Sequence, residues 1–141
     1  MNKTAHLIFA AAAFVLLFAL MPVAQSQMSQ HPTAVEIAEL PHFCWGQLEV
    51  PNISGDEFHI IGCGPAANHY CSGLIDMLRA KGHVTKNTRM ALLGGADANL
   101  RYTEKAIADY PTCNIRDHVA SSRAELENLM RVFGYNRPRA K

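Results

Sequence analysis

Four cysteines and seven histidines are the residues of this chain best suited to cross-link, bind metal or move protons. Cys44, Cys63, Cys71 and Cys113 make an even set, and an even set in a small exported domain reads as two disulfides. The competing chemistry is a metal site. His42-Phe43-Cys44 and His69-Tyr70-Cys71 are two copies of His-aromatic-Cys. With His118, the set His42, Cys44, His69, Cys71 and His118 supplies the nitrogen and sulfur donors of a tetrahedral zinc or a copper centre. The spacing tells against it. Familiar zinc modules hold paired ligands two to four residues apart, and on a helix His69 and Cys71 point about 200° from each other. There is no CxxC and no CxxCH, so thioredoxin-type exchange and covalent haem attachment have no sequence support. His118 with Asp117, and His59 with Asp56 and Glu57, are acid–base pairs. No GxSxG and no phosphate-cradling glycine loop stands beside them, so no catalytic residue and no cofactor is expected. A small hydrolase is the third reading, after a binding protein and a metal-handling one.

The chain's beginning sets the redox context. Lys3 precedes an apolar run, Leu7 to Met21, which Pro22 breaks. Ala24 and Ser26 put small residues at the −3 and −1 positions of a cleavage site before Gln27. This is the layout of a secretory signal peptide over residues 1–26. The run is shorter than the roughly 20 residues a spanning helix needs, which disfavours the alternative of an uncleaved anchor. The expected destination is the periplasm or the exterior, where disulfides persist. Residues 27–33 read as a flexible leader, 34–134 as one domain and 135–141 as a basic tail.

The whole chain carries 13 basic and 12 acidic residues. Lys3 leaves with the signal, so the mature charge balances, which argues against a nucleic-acid binder. The ordinary apolar fraction, 49%, argues against disorder.

The elements that must position these residues are helical. Thr33 and Glu36 have capping-box spacing, predicting a short helix ended by Pro41. Residues 42–49 are ambiguous between helix and strand. Val50 to Gly64 is a loop, with an extended piece at 58–61. It contains the glycosylation triplet Asn52-Ile53-Ser54. Pro65 opens a helix over 65–81, with Ala67, Cys71, Leu74 and Leu78 on one face, widened by Tyr70 and Met77. Leu92, Ala96, Leu100, Thr103, Ile107 and Tyr110 keep one helical phase through Gly94-Gly95. That predicts a continuous helix over 88–110, with the glycines admitting another backbone closely. Asn114 is the expected cap of a third helix, 115–133, with Ile115, Val119, Ser122, Leu126, Leu129 and Phe133 inward and Gly134 ending it. Trp45, beside Cys44, is expected in the core rather than as an exposed platform.

Three amphipathic helices on short connections form an antiparallel array. Antiparallel packing brings Cys113 to the start of the 65–81 helix, within reach of Cys63 or Cys71, and leaves the other for Cys44. Ala98, Tyr102, Ala106 and Pro111, with Tyr70, Gly73 and Met77, resemble the two helices of a tetratricopeptide repeat. That resemblance implies a helical hairpin that docks other proteins. The runs CGPAANHYCSGL and DYPTCNIRDH resemble small exported bacterial proteins and imply no activity.

The expected fold is therefore all-α, a small antiparallel array stapled by two disulfides. The expected role is a non-enzymatic adaptor or accessory subunit that docks a protein partner, such as a subunit of a membrane-associated complex. The candidate contact residues are Arg79, Lys81, Lys86 and Arg89 in the basic loop, and Arg116, Arg123 and Glu127 on the last helix, with Arg131 near them. The basic loop and tail would also suit an anionic surface.

Overall fold

Thr33 opens the first helix as its spacing to Glu36 predicts. In the computed structural model, which describes residues 31–137, Thr33 Oγ1 accepts from Glu36 N–H at 3.2 Å, and Glu36 Oε2 accepts from Thr33 N–H at 2.6 Å. The expected signal peptide, the expected leader up to residue 30 and the tail from 138 lie outside the described residues. The capped helix, α1, is short, Ala34–Glu39. Pro41 follows, and the ambiguous segment proves to be two 3₁₀ turns, His42–Cys44 and Gly46–Leu48. Trp45 joins them and donates its indole N–H to Ile37 O at 3.0 Å, tying the turns to α1. It is half-buried against His42 and Phe58 rather than enclosed in the core.

Residues 50–64 are a loop with one 3₁₀ turn, Asp56–Phe58. Asn52 is exposed there with φ +62°. The expected helix from Pro65 starts as a 3₁₀ turn, Pro65–Asn68, and continues as α2, His69–Lys81. Thr85 caps α3, Lys86–Ile107, accepting from Thr88 N–H at 3.2 Å. α3 runs unbroken through Gly94-Gly95, starting two residues earlier and ending three earlier than predicted. α4 is Arg116–Phe133. Gly134 ends it in the left-handed region, φ +70°, and Tyr135 N–H reaches back to Met130 O at 2.8 Å, the wrap that satisfies terminal helix carbonyls.

Asn114 does not cap α4, which has no side-chain cap. Its amide instead pins the loop: Ile61 N–H donates to Asn114 Oδ1 at 3.0 Å and Asn114 Nδ2 donates to His59 O at 3.0 Å. The loop is remote in sequence and competes successfully for the same side chain.

The described residues from Pro32 on form one compact unit of helices, without strands. No helix among them is long and apolar enough to cross a membrane. α2 and α3 run antiparallel: Gly73 lies opposite Ala96, Asn99 and Leu100, and Asp76 lies opposite Gly95. The predicted faces of α2 and α3 are inward, except that Leu78 is half-buried and Tyr110 is 40% exposed. On α4, Ile115, Val119 and Leu126 are buried as expected, but Met130 replaces Leu129 and Phe133 in the deepest layer.

Candidate functional site

The cysteines pair as Cys44–Cys71 and Cys63–Cys113. Cys113 therefore finds the segment entering α2, as the antiparallel hairpin requires. All four are at most 5% exposed, so both bridges are structural staples inside the core. Two such bridges belong to an oxidising compartment outside the cytoplasm.

This pairing corrects the metal alternative. Cys44 and Cys71 bond each other, which removes both thiolates from the ligand set. The histidines are engaged separately. His42 packs on Trp45 and Phe58, His118 sits edge-on to Phe43 at 5.0 Å, and His69 Nδ1 meets Asn99 Oδ1 at 3.0 Å. Among the described residues no three His, Cys, Asp or Glu side chains are placed to hold an ion.

The basic candidates divide. Arg79 is turned to Glu36, Nε to Oε1 at 2.6 Å, and fastens α1 to α2. Arg89 donates to Ala80 O and Gly82 O at 2.8 and 2.9 Å and lies over the Phe133 ring. Arg116 donates to Ile107 O and Tyr110 O at 2.7 and 3.3 Å. Both satisfy carbonyls at the end of the preceding helix, where a cation is also favoured by the helix dipole. Arg123, expected outward on α4, is turned inward with its side chain 14% exposed, held by Asp97 and Glu104. The reason is Asp97: a buried carboxylate on α3 needs a cation, and α4 is the element that brings one. Lys86 remains exposed. Lys81 reaches Glu125 at 2.6 Å, Arg131 donates to Asn128 at 2.6 Å, and Glu127 faces Arg137 at 3.4 Å.

Where α1, α2 and α4 meet, the surface opens into a groove of about 230 Å³. Leu40, Leu74, Met77 and Leu78 make it apolar; Glu39, Lys81, His118, Ser121, Ser122 and Glu125 add polar groups. His118, Ser121, Ser122 and Glu125 recur at helical spacing on one side of α4. The apolar phase of the helix predicts Ser122 inward, and it is half-buried on this stripe. Tyr70 OH and Ser122 Oγ are 2.7 Å apart. Burial pushes the Tyr70 phenol above its ordinary value, so it stays protonated. Ser122 is thus paired with a neutral phenol rather than with a base that would activate it as a nucleophile. Glu39 is exposed, and no hydrogen bond or ion pair holds its carboxylate among the described residues.

Comparison with known proteins finds no matching family model, no matching curated protein and no matching solved structure.

Proposed function

We propose that this chain is an exported, non-enzymatic adaptor or accessory protein that docks a protein partner in the groove between α1, α2 and α4. The observation that carries this reading is the groove's size and lining together. At about 230 Å³ it lies below the range of roughly 300–1,000 Å³ usual for whole small-molecule ligands. It suits one or two side chains of a larger partner. The apolar part accepts an aliphatic or aromatic anchor, the kind of buried side chain that dominates interface energetics. The uncommitted Glu39 carboxylate favours a basic residue next to that anchor. The disulfides and the N-terminal apolar run support a periplasmic or secreted setting. The repeat-like hairpin resemblance is consistent with a docking role.

Binding of short synthetic peptides to the oxidised domain tests this, read by calorimetry. A peptide with an apolar anchor beside lysine or arginine should bind. The same anchor beside glutamate should bind at least several-fold more weakly. Ser121→Trp, at an exposed position of the groove, should abolish binding without unfolding the domain. Glu39→Lys should reverse the charge preference. Equal binding of all peptides to the native protein and to Ser121→Trp would overturn the groove as the docking site.

A further inference from the structure

The seam between α2 and α3 contains a carboxylate that the fold leaves unanswered. Asp76, on α2, is half-buried and turned onto Gly95 of α3, so that a Cβ built on Gly95 would lie 2.6 Å from Asp76 Oδ2. Among the described residues no hydrogen bond or ion pair satisfies that carboxylate. The contrast is Asp97, whose carboxylate meets Arg123 at 2.7 Å, Arg137 at 3.2 Å and Arg101 at 3.3 Å.

The surrounding charges do not make up the difference. Arg79, one turn along α2, is turned to Glu36 of α1. His69, two turns back, meets Asn99 of α3. Asp97, the one charged residue of α3 near this level, is engaged by Arg123 of α4. Opposite Asp76 itself stands a glycine, with no side chain to donate anything. Gly95 thus makes room for a carboxyl group without giving it a partner.

We propose that Asp76 is a proton-operated wedge in the α2–α3 seam, which lets the two helices close when it is neutral and loosens them when it is ionised. Burial moves the Asp76 carboxyl up from 3.8 to about 6, and Arg79 offsets this only in part. The sign follows from linkage. The folded seam binds a proton that the open chain has lost, so the closed form is favoured at acid pH. That advantage declines as pH rises from about 4 to about 6, then levels. α2 also carries Leu74, Met77 and Lys81 of the groove, so the wedge acts on the helix that shapes it. The device itself is independent of any partner, and its test needs none.

Carboxyl NMR of the disulfide-intact protein, titrated from pH 3 to 8, should place the Asp76 midpoint near 6. Amide exchange across α2 and α3, corrected for intrinsic rates, should show opening that increases about fiftyfold between pH 4 and pH 6.5. Asp76→Asn should keep the seam closed throughout and remove that increase. A midpoint below 5 overturns the proposal. So does an Asp76→Asn variant that retains the pH dependence.

Discussion

Arg123 of α4 and Asp97 of α3 are joined at 2.7 Å, and the same guanidinium grips Glu104 through Nε and Nη2, both at 2.9 Å. One arginine thus neutralises a carboxylate whose residue is 2% exposed and a second at the rim. Arg123→Ala should destabilise the domain by about 2–4 kcal/mol, because it strands Asp97 while Arg101 and Arg137 compensate only in part. Urea unfolding measures this. A loss below about 0.5 kcal/mol, typical of a surface site, would show that Asp97 needs no partner from α4.

Glu36 makes the attachment of α1 sensitive to acid. The Arg79 hydrogen bond, aided by Thr33 and opposed by burial, lowers its carboxyl from 4.5 to about 2. A lowered acid stabilises the fold above its unfolded value and loses that contribution as pH falls, here between about 4.5 and 2. Fluorescence of Trp45, the only tryptophan, should report the release of α1 in that window, since its indole bonds Ile37 O. Glu36→Gln should remove that acid transition, and Thr33→Ala should cost ~1 kcal/mol through the lost cap.

The glycines of the hairpin should differ in kind. A Cβ on Gly73 would lie 3.2 Å from Asn99 Cβ and 3.5 Å from Leu100 Cγ, between two helices that cannot easily part. Gly73→Ala should therefore cost about 1–3 kcal/mol by overpacking. Gly95→Ala meets only the end of one side chain. In an Asp76→Ala background it should stabilise by about 0.5–1 kcal/mol, the helix preference of alanine over glycine. A double-mutant cycle in thermal melts checks this; additive effects would show that Asp76 and Gly95 are not coupled.

The two staples should contribute unequally. Cys63–Cys113 spans 50 residues and Cys44–Cys71 spans 27. Constraint of the unfolded chain predicts losses of about 4 and about 3.5 kcal/mol when each pair is replaced by alanine. Denaturant midpoints of the two double variants give the order, and the reverse order would point to packing around Cys44, fully buried, as the larger effect.

The sequence by itself determined the three long helices, their order and the segment that Cys113 joins, whereas the choice between Cys63 and Cys71 came from the fold. Capping at Thr33, apolar recurrence along 92–107 and the stop at Gly134 are local signals, carried by residues within a few positions of one another. The reach of Cys113 to Cys63 or Cys71 followed because two consecutive helices on a short loop must run antiparallel. Tertiary structure alone decided how the polar side chains are used. Asn114 has the chemistry of a cap, but the distant His59–Ile61 loop claims its amide. Arg123 lies at a position that helical periodicity marks as outward, yet a buried Asp97 on another helix draws it in. Arg79 and Arg89 of the basic loop and Arg116 of the last helix are contact candidates on paper, yet they turn their guanidiniums to a carboxylate and to helix-end carbonyls in the fold. The groove is composite, assembled from α1, α2 and α4, so no single stretch of sequence displays it. Apolar burial follows periodicity along one helix, whereas a long polar side chain can reach any of several neighbours, and only the packed structure brings one of them within bonding distance.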